Sequence, residues 1–214
     1  MKYFVANWKA NKQKHHVEQW LHEFLSTYQA TQDRMVIICP PTLWVPLVAE
    51  AVSGKDGLAV GVQDVSRFGI GSYTGELPAA LMTEVVSYSI IGHSERRRYF
   101  HETDGDVAAK LDQALDAGLK TILCVDNPNQ MQEKATMVAY EPLDAIGTGN
   151  NEPLKEVLAM REQLQLTAHQ AFLYGGSVNA QNCKDYITQP LIDGLLVGTA
   201  SLDPHEFQAI VTAL

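Results

Sequence analysis

Several positions in the chain carry side chains or backbone turns suited to chemistry, and each follows or ends a short apolar run. Asn7 and Lys9 stand at the end of the first run, His93 and Glu95 just past the fourth, and Glu141 at the end of the sixth. Ser177 follows the seventh run, and Gly198-Thr199 follow the eighth. Carboxylate, imidazole and ammonium groups are the ones that accept protons, donate them and steady developing charge. Each has an ordinary reading when taken alone. A lone lysine is a solvated cation, His93 before Ser94-Glu95 can simply open a helix with Glu95 in its favourable first turn, and Glu141 before Pro142 can simply end a strand. Their meaning depends on whether one fold brings them to one rim.

Two glycine-rich turns add a second kind of chemistry. Tyr174-Gly175-Gly176-Ser177 and Val197-Gly198-Thr199-Ala200-Ser201 both follow apolar runs. Glycine lets backbone N–H groups approach an oxyanion, and a helix N-terminus behind the turn favours negative charge. A single such turn is ordinary loop construction; two on adjacent late strands read as phosphate donors. Neither matches the dinucleotide or P-loop pattern. Ala145-Ile146-Gly147-Thr148-Gly149 follows Glu141 closely and combines an apolar tip with permissive glycines, which reads as a lid over a base.

The elements that must position these groups follow from periodicity. Strand candidates are Tyr3–Asn7, Met35–Cys39, Leu58–Val62, Tyr88–Gly92, Thr121–Val125, Met137–Glu141, Ala171–Tyr174 and Ile192–Val197. Helical patterns between them include Val17–Tyr28, Leu43–Val52, Val107–Ala117, Pro153–Leu166 and Asn179–Ile187. Strand-helix alternation implies an α/β fold, a parallel sheet with helices outside it. Eight units can close into a (β/α)8 barrel, in which strand C-terminal ends form the active face and the last two loops often bind phosphate. A doubly wound open sheet is the rival. One interval is too short for the pattern. Residues 126–136 must carry a whole crossover, Pro128 and its asparagine neighbours favour a turn, and only Gln130 to Ala135 has room to be helical. The outer helix between strands five and six is therefore expected to be reduced or missing.

Bulk properties bound the reading. The chain has 214 residues, 46% hydrophobic and 19% charged, with no linker or low-complexity tract, as expected of one domain spanning residues 1–214. A formal charge of −9 argues against nucleic-acid binding, though a few local donors still suffice for a small phosphate. Cys39, Cys124 and Cys183 are few and scattered, which suggests neither disulfides nor a zinc cluster. With no signal-peptide pattern and no apolar run of membrane length, a cytoplasmic protein is expected.

The residues together resemble one family. Asn7-Trp8-Lys9, Ile91-Gly92-His93-Ser94-Glu95-Arg96-Arg97, Ala139-Tyr140-Glu141-Pro142 with Ala145–Gly149, Tyr174-Gly175-Gly176-Ser177-Val178 and Asp193–Gly198 resemble the motifs of triosephosphate isomerase, in family order. Tyr73-Thr74-Gly75-Glu76 is similar to its interdigitating dimer loop. The resemblance implies a (β/α)8 barrel of the TIM type that interconverts dihydroxyacetone phosphate and D-glyceraldehyde 3-phosphate without metal or cofactor, within glycolysis and gluconeogenesis. It implies Glu141 as carboxylate base and His93 as neutral electrophile. Lys9 would stabilise the enediolate, with Asn7 beside it and Glu95 ordering the site. Gly147, Ser177, Gly198 and Thr199 would offer N–H groups to the phosphate, Ile146 and Leu196 would clamp the base, and Tyr174 would brace the lid. It also implies a homodimer formed through the Gln63–Glu76 loop.

Three features depart from the family pattern. Asp144 stands where the lid usually has tryptophan, Thr199 stands where glycine is usual, and 214 residues is short against the typical length of about 250. The competing readings are another phosphate-binding barrel isomerase or lyase, which would not keep Lys9, His93 and Glu141 together, and a catalytically silent barrel serving as a binding or scaffold protein.

Overall fold

The computed structural model of the chain describes residues 1–142 and 151–214. Eight parallel strands run in chain order around a closed barrel, with the eighth pairing to the first. They are β1 (Lys2–Asn7), β2 (Arg34–Cys39), β3 (Leu58–Val62), β4 (Tyr88–Ile91), β5 (Lys120–Val125), β6 (Met137–Tyr140), β7 (Ala171–Tyr174) and β8 (Gly194–Val197). The open-sheet rival is excluded by the pairing of Tyr3 through Ala6 with Gly194 through Val197. Among the described residues no helix is long and apolar enough to cross a membrane.

Side chains alternate across a strand, and this divides the apolar residues into two cores. Val5, Ile37, Ile90, Ile122, Cys124, Met137, Ala139, Leu173 and Leu196 fill the barrel interior. Their strand neighbours Phe4, Ala6, Ile38, Ile91, Leu123, Val138, Tyr140, Phe172, Leu195 and Val197 face the helices. The outer contacts follow helical spacing. In α1 (Lys14–Thr27), Val17, Trp20, Leu21 and Phe24 form one buried stripe, which meets Trp8 and Phe207 through aromatic contacts.

Among the described residues the remaining helices are α2 (Val45–Val52), α3 (Ser94–Tyr99), α4 (Asp104–Asp116), α5 (Leu154–Gln163), α6 (Cys183–Ile187) and α7 (Pro204–Val211). Several boundaries differ from the periodicity. The Leu43–Val52 pattern splits into a 3-10 turn, Thr42–Trp44, and α2, with Pro46 in its first turn. Helix α6 begins at Cys183, later than the apolar pattern from Asn179. The side chain of Asn179 accepts from the amides of Gln181 and Asn182, and that local turn competes with helix. Strand β8 begins at Gly194, not Ile192, because the Ile192 amide bonds back to Gln189 O at 3.2 Å and closes a turn. Helix α7 follows the last strand, beyond the patterns named between strands, and buries Phe207, Ile210 and Val211. Asp203 caps it by accepting from the amides of His205 and Glu206, with Pro204 in the first turn.

The crossover from β5 to β6 contains no α-helix. Its only helical feature is a 3-10 turn, Pro128–Gln130, and the expected candidate Gln130 to Ala135 carries no α-helix. The interval is fastened by side chains instead. Gln170 Nε2 donates to the carbonyls of Gln132, Glu133 and Ala135 at 3.3, 3.2 and 3.0 Å. Thr121 and Thr136 exchange amide-to-hydroxyl bonds of 3.2 and 3.0 Å. Leu123, Val138 and Tyr140 remain buried, and Met131 packs against the core that contains them.

Candidate active site

The strand ends bring Asn7, Lys9, His93, Glu141, Ser177, Leu196, Gly198 and Thr199 to the wall of one cavity of about 210 Å³ at the mouth of the barrel. Glu95 joins them through Lys9, whose Nζ donates to Glu95 Oε1 at 2.6 Å. Tyr174 does not line the cavity; it lies beneath the turn that does. Ile146 and Gly147, Asp144 and the lid reading all fall in 143–150, outside the described residues.

Lys9 is held in a backbone conformation uncommon for a side-chain-bearing residue, at φ 50°. Asn7 Oδ1 accepts from its amide at 3.1 Å, and Gln63 Nε2 donates to its carbonyl at 2.9 Å. Ser177 is likewise left-handed, at φ 51°. Such strain persists where surroundings over-determine it, and it gathers at functional sites.

His93 is the N-cap of α3, and this sets its tautomer. The Glu95 amide donates to His93 Nδ1 at 3.2 Å, so Nδ1 acts as acceptor and the proton of a neutral ring belongs on Nε2. Nε2 faces Glu141 Oε1 at 3.0 Å, and the other carboxylate oxygen accepts from the Ser94 amide at 3.2 Å. Both side chains are buried, at 7% and 4% exposure. For His93, burial opposes the charged form, but Glu141 at hydrogen-bond range outweighs it and raises the pKa above the ordinary value. For Glu141, burial pushes upward, while His93, the Ser94 amide and Lys9 together hold the carboxyl below its ordinary value. Cys124 lies in the same buried region, and burial first, then Glu141, push its thiol well up.

The two late turns fit closely around these groups. A Cβ on Gly175 would lie 3.1 Å from Glu141 Cγ, and one on Gly176 would lie 2.3 Å from the Tyr174 hydroxyl. Both glycines are there for close approach. Thr199 begins a 3-10 turn, Thr199–Leu202, directly behind Gly198. The cavity wall also includes Val178, Asn179, Ala200 and Glu206, which the sequence does not single out as site residues. Val178 and Asn179 directly follow the first glycine turn and Ala200 lies within the second, so proximity to those turns is the available signal. Glu206 belongs to α7, which follows the last strand.

A family model described as triosephosphate isomerase matches the chain over residues 2–136 and 129–214. The two matched stretches meet within the shortened crossover between β5 and β6. A protein named triosephosphate isomerase from Synechococcus sp. (strain JA-3-3Ab) is 38% identical over 237 aligned residues, covering 97% of this chain and 92% of that protein. Proteins of the same name from Thermus thermophilus and Aquifex aeolicus are 33% and 32% identical, each alignment covering 97% of this chain and 96% and 97% of those proteins.

Proposed function

The chain belongs to the triosephosphate isomerase family, and on that premise we propose that residues 1–214 form a single barrel domain interconverting dihydroxyacetone phosphate and D-glyceraldehyde 3-phosphate by the following proton transfers. Glu141 removes a proton from the carbon beside the carbonyl. The C–H electron pair becomes the carbon–carbon double bond of an enediolate, and the carbonyl oxygen takes on negative charge. Lys9 and the Nε2–H of His93 stabilise that oxygen, and His93 carries a proton between the two oxygens. Glu141 then returns its proton to the neighbouring carbon. The division of labour follows from acidity, since a weakly acidic C–H requires a dry base and a preset oxyanion partner.

The observation that carries this reading is the convergence of Lys9, His93 and Glu141 on one cavity that also holds both glycine-rich turns. With Glu141 as its partner the His93 pKa is raised, so the neutral electrophile of this proposal requires that pairing to be broken. Burial lowers the His93 pKa, and Glu141 is what raises it. A carbonyl placed at Nε2 separates the two, leaving burial and Lys9 to lower the imidazole, against Glu95 alone. The phosphate is taken by N–H groups of Ser177, Gly198 and Thr199, with Gly147 joining from the 143–150 segment. Leu196 borders the base, Ile146 completes the clamp, and no metal or cofactor takes part.

The protein acts as a homodimer in the cytoplasm. Support for the dimer comes from Ile70 and Tyr73 on the loop from Gln63 to Glu76, and from Leu43, Leu81 and Phe100, all exposed apolar side chains. A coupled assay with glyceraldehyde 3-phosphate tests the activity. Turnover abolished by Glu141→Gln supports the reading, whereas a pure, folded wild-type protein without turnover would make it a silent barrel.

A further inference from the structure

We propose that Tyr186 is a positioning residue for phosphate binding: stacked on Tyr174 and bonded to the Asn151-Glu152 chain, it fixes the ring on which the Gly175-Gly176-Ser177 turn rests. The inference depends on reading that turn as a phosphate donor. Tyr186 itself lies outside the cavity wall, so it acts only through its neighbours.

The contacts form a closed set. Tyr186, in α6, is 1% exposed, and its ring stacks on Tyr174 with centroids 4.4 Å apart. The two phenols hold opposite ends of one residue. The Glu152 amide donates to the Tyr174 hydroxyl at 2.8 Å, and the Tyr186 hydroxyl donates to the Glu152 carbonyl at 2.5 Å. Asn151 Nδ2 donates to the Tyr186 hydroxyl, whose single proton is thereby directed at Glu152. Tyr174 in turn shapes the phosphate turn, because Gly176 passes so close to its hydroxyl that no side chain fits between them.

A second contact from the start of the same helix reaches the turn. Asn182 Nδ2 donates to the Ser177 carbonyl at 3.1 Å. Ser177 holds φ 51°, a conformation that relaxes when its supports are removed. Backbone N–H groups cannot re-aim as a lysine side chain can, so a tilt of the turn directly lengthens their bonds to an oxyanion. Removing the Tyr186 hydroxyl frees the Glu152 carbonyl and the Asn151 amide, and lets the Tyr174 ring move against the turn.

Tyr186→Phe keeps the ring and removes only the hydroxyl. The KM for glyceraldehyde 3-phosphate and the inhibition constant of inorganic phosphate should both rise by about three- to tenfold, with kcat changed by less than about twofold. The kcat/KM for D-glyceraldehyde, which carries no phosphate, should stay at the wild-type value. Asn151→Ala, an exposed substitution, should give the same split in smaller measure and serves if the tyrosine variant fails to fold. Equal losses on glyceraldehyde and its phosphate would show general damage and overturn the positioning role. Unchanged phosphate constants in both variants, with the wild type competitively inhibited by inorganic phosphate, would overturn the inference and leave the phosphate turn standing. A wild type that inorganic phosphate does not inhibit would overturn both.

Discussion

At the scale of single residues, His93 and Glu141 form a buried pair whose charges depend on each other. The signs of the two shifts differ in their consequences for pH. His93 is raised, so its contribution to stability is complete below its ordinary value of 6.5 and is lost as pH rises through the raised value. Glu141 is lowered, so its contribution is present above its ordinary value of 4.5 and is lost as pH falls through the lowered value. Glu141→Gln should reduce kcat by about 10²- to 10⁴-fold, the range for loss of a general base, with little change in affinity for a phosphoglycolate-type ligand. The same substitution should lower the His93 titration midpoint in NMR, since burial and Lys9 then act with only Glu95 opposing. An unmoved midpoint would mean that Glu141 does not control the imidazole. Lys9→Met should raise KM and depress kcat together, because an ammonium that meets the substrate oxygen also meets the enediolate. Unchanged values of both would remove Lys9 from the mechanism.

At the scale of elements, the β5–β6 crossover shows how a barrel can close without one of its outer helices. A helix normally covers strand side chains and satisfies its own backbone groups. In this interval Gln170 supplies one amide nitrogen to three carbonyls, and its oxygen accepts from the Thr167 amide at 3.0 Å. Gln170 is 8% exposed, so removing its amide leaves carbonyls without that donor in a poorly hydrated place. Gln170→Met should cost about 1–3 kcal/mol in urea denaturation, the range for a buried group left unsatisfied. Melting behaviour indistinguishable from wild type would show that the crossover is held elsewhere, for example through Lys134, which reaches the Ala108 carbonyl and Asp112 on α4.

At the scale of the whole molecule, the loop from Gln63 to Glu76 presents apolar side chains to solvent. Ile70 is 69% exposed, while Tyr73, also exposed, stacks on Phe68 at 4.3 Å. Within the chain the loop is closed by Ser66, whose amide donates to Leu77 O at 2.9 Å and whose hydroxyl donates to Glu76. It is thus held at its base with apolar tips outward, a form suited to insertion beside another subunit. Sedimentation at micromolar concentration should give a dimer, and Ile70→Glu with Tyr73→Glu should shift it to monomer. A fully active wild-type monomer under those conditions would refute the assembly.

The sequence by itself determined the eight strands, because short continuous apolar runs between helical patterns mark parallel strands buried on both faces. It also pointed to a reduced or missing helix, since residues 126–136 leave room for only a short one and Pro128 favours a turn; that the helix is missing outright is seen in the fold. Local motifs single out Lys9, His93, Glu141 and the late glycine turns as residue types able to do this chemistry. Only the tertiary structure decided that the sheet closes, through β1 against β8, at opposite ends of the chain. Tertiary packing also places Nε2 of His93 3.0 Å from Glu141, across β5, and Tyr186 against Tyr174 beneath a turn that precedes it in sequence. The late start of α6 is illegible for a different reason. Its boundary is set by the Asn179 side chain accepting from backbone amides, a contest that apolar spacing does not record.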